Sequence, residues 1–252
     1  MQTDMTVGKP MKMILDFTIP VFIGNVFQQF YNMADAIIVG KFVGTKGLAA
    51  VGATGTIMFL IIGFLMGLTA GFTVLTSQKF GAGKMDEMRQ SVGNAALLSV
   101  AISVIMTVGS MVGMRALLTL MHTPEDIFQD SYTYIMIICG GIFAQVLYNI
   151  LASILRALGN SKVPLYFLIL SAMLNIVLDL VFIIVFHMGV AGAAWATITA
   201  QGVSGLLCLV YIIKCVPELR LKREDWKFRP QIAKNEIVVG IPMGLQFSIT
   251  AI

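Results

Sequence analysis

Four polar side chains, Asn25, Gln28, Asn32 and Asp35, punctuate an otherwise apolar stretch near the start of the chain at i, i+3, i+7 and i+10. On a helix turning about 100° per residue they share one stripe, within roughly 80° of arc. A second pair, Asn175 and Asp179, is spaced i, i+4 in another apolar stretch and also shares a face. Two kinds of chemistry suit carboxylates and amides in such surroundings. A carboxyl buried beside a second carboxyl can take up a proton. With amide and hydroxyl oxygens around it, the same carboxyl can hold a hard cation such as Na⁺. The residue types do not separate these two. The structural alternative for Asp35 is a cap on the outer end of its helix near Lys41.

The elements that must position these groups follow from composition. Apolar residues make up 58% of the 252 positions and charged residues 12%, against about 45–50% and 25% in soluble domains. The apolar residues form long uncharged blocks: Ala49 to Gln78, Gln90 to Met114, Ser131 to Leu155 and Leu180 to Ile213. About 20 apolar residues cross a hydrocarbon core of about 30 Å. In lipid each backbone polar group needs an internal partner, so the blocks must be helices; barrel strands would be shorter and would alternate. Helices are expected over 14–40, 47–78, 92–120, 131–157, 163–186 and 190–214, with a seventh beginning near 237. The fold class is therefore all-α, a polytopic transmembrane bundle of six helices plus a truncated seventh.

Orientation follows from the basic residues. With the N-terminus in the cytoplasm, all but three of the 17 Lys and Arg, namely Lys41, Lys46 and Arg115, fall in inner segments, from Lys9 and Lys12 through to Lys234. The pI of 9.0 thus reflects membrane topology and gives no reason to expect nucleic acid. Three regions result: a six-helix lobe over 1–214, a basic inter-lobe loop over 215–236 on the cytoplasmic side, and the start of a second lobe over 237–252. The loop joins two halves and could also bind anionic lipid head groups. Ile19-Pro20 near the start and Ile241-Pro242 near the end each sit early in a helix that follows a basic segment. Six helices between them return the chain to the same membrane face. The chain then looks like the first repeat of a transporter about twice as long, its halves related by an axis along the membrane normal.

Other motifs argue against different chemistry. Gly81-Ala82-Gly83-Lys84 follows a membrane helix and lacks the phosphate-loop pattern, so it reads as a helix-ending turn. Cys139, Cys208 and Cys215 lie in apolar surroundings without metal-ligand spacing, and His122 and His187 are dispersed at outer helix ends. No enzyme activity, resident metal or cofactor is expected. Gly63, Gly67 and Gly71 form a small-residue face for close helix packing. Pro20 should bend helix one. The 17 methionines could line an adaptable cavity.

A series of stretches then resembles a known family. These are Ile19-Pro20 with Asn25 to Gly40, Leu48-Ala49-Ala50-Val51-Gly52, Gln78 to Gly83, Leu155 to Pro164, Asn175 to Asp179, and Gly189 to Thr197. Together, in this order, they resemble the multidrug and toxic compound extrusion (MATE) family of cation-coupled exporters over the whole chain. The resemblance implies twelve helices in two lobes around a central cleft, with alternating access. It implies extrusion of cationic lipophilic compounds across the cytoplasmic membrane against Na⁺ or H⁺ entry. By the same resemblance the cation-coupling residues are Asp35, Asn175, Asp179, Thr197 and Asn149. Asn149 lies only about 11 Å by helix rise from Arg156 and the inner end, which fits that role poorly. Asn25, Gln28 and Asn32, on a polar stripe that would be costly against lipid, are expected to face a bundle interior or wet cavity and are the substrate-cavity candidates. The resemblance also implies a C-terminal lobe missing from this chain. Two other readings remain open: a flippase for lipid-linked precursors in the same superfamily, and a non-transporting membrane scaffold.

Overall fold

The computed structural model describes residues 10–249; Lys9 and the last three positions of the expected second-lobe segment lie outside the described residues. The long helices are α1 (Pro10–Phe42), α2 (Thr45–Gly81), α3 (Met85–Leu120), α4 (Glu125–Gly140), α5 (Ile142–Ala157), α6 (Lys162–Leu180), α7 (Gly189–Cys215) and α8 (Pro230–Ile249). A π-helical turn, Val181–Val185, extends α6, and a 3₁₀ turn, Pro217–Leu219, follows α7. Among the described residues five helices are long and apolar enough to cross a membrane, and the α4–α5 pair, bent by 48°, makes a sixth if the two cross as one span. The chain is a multi-pass membrane protein.

The helices outrun the uncharged blocks at most ends. At 1.5 Å per residue, the 37 residues of α2 reach about 55 Å, well beyond the hydrocarbon core. The extra turns carry the charges. Lys79 at the end of α2 pairs with Glu87 of α3, fastening the two helices around the Gly81–Lys84 turn; Lys84 also reaches Glu87, and Asp86 and Arg89 pair within α3. Gly83 takes φ +71° there, a left-handed conformation that favours glycine.

The expected single helix over 131–157 is two helices. The break at Gly140–Gly141 has a packing cause: a Cβ on Gly141 would lie 2.3–2.7 Å from the Ile198 side chain of α7. The missing side chain admits Ile198 and brings α7 against the bend.

The seventh helix starts at Pro230, earlier than the expected start near 237, and it packs along α2. The glycine face of α2 meets it. A Cβ on Gly71 would lie 2.4 Å from the Gly240 Cα, and one on Gly67 would lie 2.4 Å from the Met243 carbonyl oxygen. Gly63 faces Phe247, so the two helices run antiparallel, backbone against backbone. The segment before α8 is held down rather than free. A Cβ on Gly93 would lie 2.1 Å from the Asp225 carbonyl oxygen. The Arg229 amide donates to Asn94 Oδ1 (2.8 Å), and the Lys222 amide donates to Asp225 Oδ2 (2.8 Å).

Apolar packing is divided along the bundle. One cluster joins α2, α3, α5 and α7 through residues such as Phe72, Met88, Leu155 and Cys208. A second, built on Ile38, Val39, Tyr134, Ile138, Ile183 and Ala193, walls the region around Asp35 and Asp179.

Candidate functional site

Three helices position the carboxyl cluster. On α1, Tyr31 lies one turn before Asp35, so both look the same way. On α6, Asn175 and Asp179 are one turn apart and both fully buried. On α7, Thr197 sits beside Ile198, which the α4–α5 break admits. The π-helical turn begins two residues after Asp179 and ends the regular ladder of α6 there. The chain reverses into α7 through His187 and Gly189, both at positive φ (54° and 58°).

Thr197 is the hub. Its Oγ1 accepts from the Tyr31 hydroxyl (3.3 Å) and from Asn175 Nδ2 (3.3 Å). Having accepted twice, the hydroxyl keeps its own hydrogen to give. The Asp35 and Asp179 carboxyls sense each other directly, and the Tyr31 and Tyr134 rings sense both. Four buried oxygens here have no hydrogen-bond donor: Asp35 Oδ1, Asn175 Oδ1, Asp179 Oδ1 and Asp179 Oδ2. A buried acceptor without a partner costs about 1–3 kcal/mol, and more when charged. Oxygens gathered in this way suit a shared proton or a small hard cation. No group of three or more His, Cys, Asp or Glu side chains gathers anywhere among the described residues, so a cation here would rest on amide and hydroxyl oxygens as well as carboxylates.

The remaining expected residues are placed apart from this hub. Asn149 Nδ2 donates to the Gln145 carbonyl in its own helix (2.9 Å) and not to the hub. Asn25 and Asn32 are exposed on α1, and Gln28 is half-buried with its amide donating to Asn32 Oδ1 (3.4 Å). The polar stripe of helix one thus splits: its Asp35 end is enclosed by α6 and α7, while the rest lies on an open face of the bundle. Pro20 is buried within an unbroken helix.

Sequence reasoning missed Tyr31, Tyr134 and Gln201. Gln201 stands one turn after Thr197, and its buried Oε1 also lacks a donor. The i+4 spacing of Thr197 and Gln201 and the i, i+4 spacing of Tyr31 and Asp35 were the available signals.

The profile of the family described as MatE matches residues 20–181. The chain belongs to the MatE family. Among its curated relatives, a probable multidrug resistance protein, YpnP, of Bacillus subtilis is 34% identical over 98% of this chain and 55% of its own length. The probable multidrug resistance protein NorM of Thermotoga maritima is 25% identical over 93% of this chain and 51% of its own length. A solved transporter of the MOP superfamily from Pyrococcus furiosus superposes with a TM-score of 0.89 at 29% identity, covering 95% of this chain and 53% of that one. The chain therefore spans about half the length of the relatives it matches. The family membership agrees with the resemblance carried by the motif series, and the structural likeness extends to α8.

Proposed function

We propose that this chain forms the first lobe of a two-lobe exporter in the cytoplasmic membrane. In this reading the N-terminus is cytoplasmic, α1 to α7 make the first lobe, the segment between α7 and α8 bridges the lobes and α8, from Pro230, opens the second. The whole protein extrudes cationic lipophilic compounds against the entry of H⁺ or Na⁺. The observation that carries the reading is the group of four donor-less oxygens on Asp35, Asn175 and Asp179, buried where lipid and protein exclude water. Carboxylates kept at such a cost inside a membrane mark an ion path by default. The names of the relatives point the same way, since several are called probable multidrug resistance proteins.

The roles divide by exposure. Asp35 and Asp179 take the coupling ion, with Asn175 and Thr197 as neutral partners and Asn149 as an outlying candidate. Asn25, Gln28 and Asn32, on the open face, line the substrate cavity. The experiment is efflux of a fluorescent lipophilic cation from cells expressing the full-length protein, with Asp179→Asn as the variant. Asp179→Asn should abolish gradient-driven efflux while leaving the protein in the membrane. Efflux at the native rate would remove the assignment. Collapsing the proton and sodium gradients separately in the native protein identifies the ion.

A further inference from the structure

Among the described residues the carboxyl cluster leaves two buried acids unused, Asp225, which stands beside Arg89 and accepts from the Lys222 amide, and Glu236, which has no cation beside it. Glu236, in the second turn of α8, is fully buried and is among the largest wholly enclosed side chains. Its Oε1 accepts from the Ser91 hydroxyl of α3 (2.8 Å), and the Ser91 and Thr76 hydroxyls are 3.0 Å apart, with either able to donate. Thr76 belongs to α2, and both hydroxyl residues are themselves fully buried. Glu236 Oε2 has no hydrogen-bond partner. Three helices thus converge on one acid at the basic, loop-bearing end of the bundle.

The charged side chains that α2 and α3 bring to this end are paired. On α2, Lys79 pairs with Glu87; on α3, Glu87 also takes Lys84, and Arg89 pairs with Asp86 and stands 3.9 Å from Asp225. On α8 itself and just before it lie Lys234, Arg229 and Lys227. Burial and the Ser91 hydrogen bond govern Glu236, with no charged side chain contributing. An ionised carboxylate offers about four acceptor sites, and one hydrogen bond meets a single one of them. A neutral carboxyl leaves much less unmet. The hydroxyl pair accommodates either state. With the proton on Oε1, the run of donors goes from Glu236 to Ser91 to Thr76; with the acid ionised, it reverses.

We propose that Glu236, Ser91 and Thr76 form a proton-binding site that latches α8 onto α2 and α3. Docked, the carboxyl carries its proton. When α8 leaves the glycine face of α2, water reaches the acid, the carboxyl O–H bond breaks and the proton passes to water at the inner face. The proposal rests on the reading that α8 opens a lobe that moves relative to the first. It assigns that movement a protonation step separate from Asp35 and Asp179.

The test reads α8 directly and needs no transport. Spin labels are placed at Val100→Cys on α3 and Val238→Cys on α8, both exposed positions, in the full-length protein carrying Cys215→Ser. Double electron–electron resonance should give one short distance in mildly acidic buffer. On moving to alkaline buffer a longer distance should grow and become the major population. Glu236→Gln, whose amide cannot ionise, should keep the short distance throughout. A pH response that survives in Glu236→Gln, or is absent from the native protein, overturns the proposal. Should Glu236→Gln misfold, infrared spectra of the Asp35→Asn/Asp179→Asn protein decide. A neutral buried-carboxyl band that fades with the same pH response supports the latch, and its absence overturns it. Loss of that band on adding Na⁺ at constant pH would show a cation site instead. Failure here with Asp179-dependent efflux intact would overturn only the latch. A working latch with efflux insensitive to Asp179→Asn would overturn only the coupling reading.

Discussion

At the residue scale, Thr197 holds the carboxyl cluster together without carrying charge. Two donors from two helices, Tyr31 and Asn175, converge on its oxygen. Thr197→Val keeps the branched shape and removes that oxygen, leaving two buried donors unmet. Each should cost about 1–3 kcal/mol, at the lower end because both bonds are long. The expected outcome is a clear fall in the thermal midpoint of the detergent-purified protein, with Thr197→Ser close to native. Equal midpoints for Val and Ser would show that the hydroxyl is not the hub. Much of this site was legible in the sequence, because Asp35, Asn175 and Asp179 announce themselves as ionisable or amide groups inside apolar blocks. Thr197 came from the motif series and not from its chemistry, since a lone threonine in a membrane helix usually bonds its own backbone, as Thr69 and Thr73 do. Glu236 was hidden for the opposite reason. It follows a run of basic residues and reads as part of a solvated segment until α8 is seen to begin at Pro230.

At the scale of elements, glycine spacing was readable but its partner was not. The fourth-residue repeat of Gly63, Gly67 and Gly71 marks a face for close approach, yet nothing in it says which helix approaches. Gly240 and Gly244 give the matching pair: a Cβ on either would come within 3.0 Å of α2 atoms. The consequence can be measured within one helix. Gly52 and Gly55, also on α2, have open space around them. Gly52→Ala should therefore be neutral or stabilise by up to about 1 kcal/mol through helix propensity. Gly71→Ala meets backbone, which cannot rotate away, so α8 must shift. Protease cleavage near Trp226 should speed up in Gly71→Ala and stay native in Gly52→Ala. The α4–α5 break escaped the sequence reading for a related reason. Gly140-Gly141 within an apolar run is tolerated inside a helix, and only the Ile198 side chain arriving from α7 turns it into a bend.

For the whole molecule, the distribution of charge predicts which end faces the cytoplasm. The residues that anchor α2 to α3, the pinned Lys222–Arg229 segment and the Glu236 site all lie at the end where α2, α7 and the segment before α8 carry most of the Lys and Arg. Lys41, Lys46 and Arg115 mark the other end. Positive residues in short loops are retained on the cytoplasmic side, so the first end is predicted to be the inner one. Native cysteines make this testable with little engineering. Cys139 and Cys208 are buried, while Cys215 is exposed just after Lys214. A membrane-impermeant maleimide should leave Cys215 unlabelled in intact cells and label it once the membrane is opened. With Cys215→Ser as background, Lys46→Cys, at an exposed outer turn, should label in intact cells. The reverse pattern would invert the protein, place Asp35 and Asp179 nearer the cytoplasm and put the Glu236 latch on the outer face. The direction of coupling and the side on which α8 opens therefore both hang on this one measurement.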